Sequence, residues 1–120
     1  MQLQVYGIPT CGTCKKAVSW LDARQVNYEF INTKENPPEE KRIAEWIQAL
    51  GSQPMRNTSG KSYRSLGEEK KVWSDEQWLE AFSQDAMLIR RPLFVRDGQA
   101  VLVGFRGSDA AIAAALGLSH

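Results

Sequence analysis

Apolar and polar positions alternate through Leu3-Gln4-Val5-Tyr6-Gly7, which predicts a strand over residues 3–7. The period then lengthens. Between residues 12 and 24, Ala17, Val18 and Leu21 fall on one helical face, with Trp20 beside them. Val26, Tyr28, Phe30 and Ile31 restore a strand pattern over residues 26–31. Strand, helix and strand in about 30 residues make a βαβ unit, and its crossover is right-handed.

Asn36-Pro37-Pro38 breaks this pattern and opens a helix, because proline suits the first helical turn. Ile43, Trp46, Ile47 and Leu50 recur at helical spacing, and Gly51 follows as a stop. Residues 62–66 predict a short helical turn. Ser74-Asp75-Glu76-Gln77 is a capping-box pattern, with Trp78, Leu79 and Phe82 as the apolar face of the helix it starts. Residues 33–87 therefore read as a mostly helical insertion. A unit of that size, about 55 residues, would be marginal as a separate domain. The strand signal returns at Leu93-Phe94-Val95-Arg96, Asp97-Gly98 is a hairpin turn, and residues 100–104 make the return strand. Ser108 caps a last helix, rich in alanine from Ala110 to Leu116, and Gly117 ends it. The expected fold is α/β over residues 1–120, a single domain with a four-stranded mixed sheet flanked by helices. Trp20, Trp46, Trp73 and Trp78 read as core and interhelical packing.

At 120 residues the chain can bury a real core. Its 15 Lys+Arg against 14 Asp+Glu leave a net charge of +1, which supplies no general pull toward nucleic acid or a membrane surface. No apolar run approaches the roughly 20 residues that span a bilayer. The N-terminus enters a strand with no secretory pattern. With only two cysteines, close together, the expected compartment is reducing, and cytoplasm is the default. In that setting Asn57-Thr58-Ser59 is an accidental glycosylation sequence.

The two cysteines form Cys11-Gly12-Thr13-Cys14, between the first strand and the first helix. A strand, a short turn with C-x-x-C and a helix is the thioredoxin arrangement. A helix N-terminus favours negative charge, so a cysteine there ionises readily, and the thiolate is the nucleophile. A disulfide across so short a loop would restrain the unfolded chain by only about 2 kcal/mol, which argues against a structural staple. A structural zinc site needs four ligands, and two cysteines with His120 do not supply them, so no metal is expected. Cys11 is the candidate nucleophile. Cys14, one turn into the helix, is the candidate resolving thiol. Lys15 and Lys16 read as solvated lysines.

Arg90-Arg91-Pro92 precedes the third strand, where a proline that cannot donate a ladder bond belongs. In thioredoxin-like folds a cis proline stands there and faces the cysteines. Arg91 is then a candidate to favour the thiolate and bind an oxyanion, and Arg90 reads as a surface residue. Arg106, in Gly104-Phe105-Arg106-Gly107, either completes an anion pocket or is a solvated turn residue.

Three segments, residues 6–17, 57–67 and 88–93, resemble in order the anchors of the ArsC/Spx family. That family comprises thioredoxin-fold arsenate reductases and the Spx and MgsR regulators. On the reductase template, Cys11 attacks arsenate, Arg91 and Arg106 hold the oxyanion, and glutathione with glutaredoxin completes the reduction. Several relatives carry arginine where Ser59 stands here, and the glutaredoxin-linked reductases usually lack a second cysteine at position 14. The regulators share the C-x-x-C pair as a disulfide switch and bind the C-terminal domain of the RNA polymerase α subunit. Gly51 falls where they have a glycine that matters for that contact, although a helix stop accounts for it equally. The resemblance thus implies two functions. One is an arsenate reductase-like thiol-disulfide oxidoreductase with no bound cofactor, supplied with electrons by glutathione and glutaredoxin or by thioredoxin. The other is a redox-switched regulator with no direct contact to nucleic acid.

Overall fold

In a computed structural model, which describes residues 1–118, the sheet is mixed and four-stranded. His120 lies outside the described residues. The strands are β1 (Leu3–Gly7), β2 (Glu29–Asn32), β3 (Leu93–Arg96) and β4 (Gln99–Val103). Their order is β2-β1-β3-β4, with β1 parallel to β2 and antiparallel to β3, and β3 antiparallel to β4. The helices are α1 (Gly12–Ala23), α2 (Glu40–Leu50), α3 (Ser52–Met55), α4 (Lys61–Arg64), α5 (Asp75–Gln84) and α6 (Asp109–Leu116), with 3₁₀ turns at Glu68–Val72 and Ala86–Leu88.

Side-chain alternation sorts the strands between two cores. Leu3, Val5 and Phe94 face Ala17 and Leu21 of α1 and Ile112 and Leu116 of α6. Tyr6, Leu93 and Val95 face Ile43 and Trp46 of α2 and Trp78 and Phe82 of α5. The helical insertion thus covers one face of the sheet, and the two helices that flank it in sequence cover the other. Trp46 and Trp78 are buried as expected, whereas Trp20 and Trp73 are half-buried at the margins.

Two strands, β2 and β4, differ in extent from the ranges that the sequence predicts. β2 begins at Glu29 rather than residue 26, because Val26 still belongs to the end of α1. Its N–H donates to the Leu21 carbonyl at 3.1 Å, and Gln25 beside it takes a left-handed φ of 57°. β4 spans residues 99–103, one position early, because Gly104 turns the chain at φ 81° while its N–H donates to the Pro92 carbonyl at 2.8 Å. The capping box is present in full: the Gln77 N–H donates to Ser74 Oγ at 3.3 Å, and the Ser74 N–H donates to Gln77 Oε1 at 2.8 Å. Pro37 and Pro38 stand just before α2, whose N-cap is Glu39.

Candidate active site

The C-x-x-C segment turns from β1 into α1 with Cys11 as N-cap, in extended backbone at φ −78° and ψ 123°. The Cys11 N–H donates to the Ile8 carbonyl at 3.2 Å, and the Cys11 carbonyl accepts from Lys15 at 3.0 Å. This leaves the sulfur facing the free amides of the first turn, the place where a helix best supports negative charge. Partial burial pushes the Cys11 thiol up and is the largest single influence on it. The Cys14 backbone N–H, the Cys14 thiol, the Thr13 backbone N–H and the Arg91 charge together outweigh it, so Cys11 stands below the ordinary thiol value.

Cys14 is in the opposite situation. It is 1% exposed. Burial pushes its thiol up to about 11; a hydrogen bond from the Ile8 backbone works the other way, and the negative charge on Cys11 adds to the rise. Its sulfur rests on Gly7 at the end of β1. A Cβ at position 7 would stand 2.6 Å from Cys14 Sγ, closer than packed atoms come, so glycine is required there by close approach. One thiol is poised to ionise and the other is held neutral behind it. Both are free thiols in this structure.

Cys11 opens on a cleft of about 760 Å³. Four of its lining side chains are cationic (Lys16, Arg90, Arg91 and Arg106), and none of the described residues lining it is acidic. Asn57, Ser59 and Gly60 form one wall. That loop is docked by the Asn57 N–H donating to the Leu88 carbonyl at 2.8 Å and by Asn57 Nδ2 donating to the Met87 carbonyl at 3.3 Å. The Arg91–Pro92 peptide bond is cis. Arg91 Nη1 lies 3.5 Å from the Met87 carbonyl and 3.8 Å from Met87 Sδ, and its Nε is buried without a partner among the described residues. An arginine held on one edge keeps its other donors for an anion.

Cys11, Arg91 and Arg106 therefore meet at one cleft, with Cys14 behind its nucleophile. Gly51 stands apart from the cleft lining, between α2 and α3, at φ 82° and ψ 153°. Its N–H closes α2 by donating to the Ile47 carbonyl at 2.7 Å, so the backbone alone accounts for the glycine. Arg56 and Arg64 also lie outside the lining. Arg56 stacks 4.7 Å over Trp78 and donates to Ser52 Oγ at 2.9 Å. Arg64 donates to the Ser59 carbonyl.

Lys16 and Arg90, which read from the sequence as surface residues, line the cleft. Lys16 is one turn after Thr13, on the helical face that borders the cleft, and that spacing was the available signal. Arg90 is placed by Gly104, where a Cβ would stand 3.3 Å from Arg90 Cδ. Among the described residues no three His, Cys, Asp or Glu side chains converge to hold a metal ion, and no helix is long and apolar enough to cross a membrane.

Known proteins resemble this chain in structure or in sequence. A possible arsenate reductase from Streptococcus mutans superposes with a TM-score of 0.81 at 35% identity, over 92% of this chain and 96% of its own. The uncharacterized protein YusI of Bacillus subtilis is 37% identical over 110 residues, 88% of this chain and 92% of its own. The global transcriptional regulator Spx of Lactiplantibacillus plantarum is 24% identical over 107 residues, 88% of this chain and 80% of its own. The sequence matches the ArsC family across residues 6–113, which takes in both cysteines, the cis proline and the four cleft cations, and the chain belongs to that family.

Proposed function

We propose that the protein is a thiol-disulfide oxidoreductase of the arsenate reductase type. The observation that carries this reading is the opening of a helix-capping thiol onto a cleft whose charged side chains are all cationic. The Cys11 thiolate attacks one sulfur of a substrate disulfide. That S–S bond breaks, one half leaves as a thiolate, and a mixed disulfide forms on Cys11. Loss of the negative charge on Cys11 removes one of the influences that holds Cys14 neutral. Cys14 then passes its proton to the departing sulfur and attacks Cys11, which releases the second half as a thiol and closes a Cys11–Cys14 disulfide. Two electrons have moved to the substrate, and an external thiol reductant, glutaredoxin with glutathione or thioredoxin, restores them. With arsenate the first attack forms a sulfur–arsenic bond and displaces one oxygen as water, and the attack of Cys14 leaves the arsenic as arsenite. Arg91 and Arg106 hold the negative charge in either case.

The test is turnover of arsenate and of model disulfides by purified protein with each reductant. Activity that disappears in Cys11→Ser is expected; no turnover of any of them sinks the reading. A second reading, a redox-switched regulator acting on RNA polymerase, is supported by the likeness to Spx together with the paired cysteines. It requires a complex with the C-terminal domain of the polymerase α subunit, and the affinity of that complex must change on oxidation. Failure of the complex to form with either reduced or oxidised protein removes the reading.

A further inference from the structure

Helix α1 carries more than the thiols: its second half is fastened to the segment that bears Arg106. Trp20 donates its indole N–H to Asp109 Oδ1 at 3.1 Å. Arg24 donates to Asp109 Oδ2 at 2.9 Å, and its guanidinium lies 3.8 Å over the Trp20 ring. Phe105 meets Trp20 edge to face with ring centroids 6.0 Å apart, and it meets Phe94 of β3 at 6.3 Å.

Phe105 and Arg106 sit between Gly104 at φ 81° and Gly107 at φ 110°. Two glycines in that region leave the backbone between them with wide conformational freedom. Among the described residues neither the Phe105 nor the Arg106 N–H finds a backbone acceptor. Beyond Gly104, whose N–H donates to the Pro92 carbonyl, the contact that holds the loop is the Phe105 ring, and what meets that ring from the α1 side is Trp20. Trp20 itself does not line the cleft.

We infer that Trp20, clamped by Asp109 and Arg24, is a positioning residue: it fixes Phe105 and so sets Arg106 over the cleft that Cys11 opens on. The inference rests on the reading of Arg106 as an anion ligand. It adds that anion selectivity is governed from the far half of the helix that carries the nucleophile.

The test compares two aromatic disulfides as probes of Cys11 in the intact reduced protein. Dithionitrobenzoate carries a carboxylate on each ring, and dithiodipyridine is neutral. The ratio of their second-order rates cancels the intrinsic reactivity of the thiolate and reports anion recognition. Arg106→Ala lowers the ratio about threefold or more, as expected for loss of a contact. Trp20→Ala, which alters no charge and removes no residue of the cleft lining, lowers it in the same direction, and the double variant falls no further than Arg106→Ala alone. Asp109→Ala also lowers it, although removing a negative charge would by itself favour the anionic reagent.

A Trp20→Ala ratio equal to wild type, or a full additional fall in the double variant, overturns the inference. If Trp20→Ala does not fold, Asp109→Ala decides, and a ratio that rises or holds there overturns it. A ratio unmoved by Arg106→Ala defeats the anion-ligand reading and the inference together, whereas a ratio moved by Arg106→Ala alone defeats only the inference.

Discussion

Cys11 and Cys14 are one turn apart, yet their thiol pKa values are displaced in opposite directions, and the difference comes from place. Cys11 gathers amide donors and the Arg91 charge at the helix start; Cys14 is enclosed, and its burial outweighs the Ile8 backbone hydrogen bond and the Arg91 charge that work the other way. The lowered Cys11 pKa sets the sign of the pH dependence: alkylation accelerates as pH rises and levels off at a lower pH than for an ordinary cysteine. In Arg91→Ala the whole profile moves to higher pH, and iodoacetamide rates across a pH series measure it. Cys14, pushed up to about 11, has the reverse linkage to folding. The folded state holds its proton more tightly than the unfolded chain does. That contribution is fully present below the ordinary thiol range and is lost as pH rises from there through about 11. Urea melts of reduced protein should show this alkaline loss, and Cys14→Ala should lack it. Both cysteines were legible in the sequence because a motif at a strand–helix junction carries its own local geometry. Arg91 was legible through the proline that follows it. Lys16 was signalled only by its helical spacing from Thr13, and Arg90 by nothing local, because a surface cation and one that faces a cleft look alike when the cleft is built by residues far away in the chain.

Each element boundary near the site is set by one identifiable device. Gly7 ends β1 and leaves room for the Cys14 sulfur, so Gly7→Ala overpacks and costs about 1–3 kcal/mol in chemical denaturation. Because the clash is with the sulfur itself, Cys14→Ala in the same chain should recover much of that loss. A double-mutant cycle by urea melting checks the pair. The capping box starts α5, and Ser74→Ala costs about 1 kcal/mol by the same measurement while the thiol chemistry stays as it was. The expected elements match the observed ones wherever a cap or turn residue marks the end. The Ser74 cap, the Asp97-Gly98 turn and the Gly117 stop all stand where the pattern put them. The expected start of β2 differs because Val26 is apolar in either setting: periodicity cannot tell the last apolar residue of a helix cap from the first residue of a strand. Gly51 carried two explanations from the sequence, and its left-handed φ supplies a sufficient structural one.

Across the whole molecule, the sheet separates two jobs. The face covered by α2 and α5 holds a core with Trp46, Trp78 and Phe82 at its centre, and the other face couples α1 to α6. Ile112 lies deep in that second core, so Ile112→Ala lowers stability by about 2–5 kcal/mol in thermal or chemical melts. Well below the melting temperature, Cys11 alkylation in that variant should match wild type, because Ile112 is no part of the cleft lining. The expected sheet class and its flanking helices are the observed ones, since strand and helix periods survive averaging over a whole element. The convergence of the cleft was harder to read, because it depends on β1 pairing with β3 across the full length of the insertion. That pairing also bears on how the protein is made. The thiols leave the ribosome early, whereas every cleft cation except Lys16 lies at Arg90 or later. At about 5–20 residues per second, synthesis from Cys11 to Arg106 takes roughly 5 to 20 s. Through that interval the nascent chain has its nucleophile without the full set of cations that sorts one reaction partner from another. Chemical discrimination is the last property it acquires.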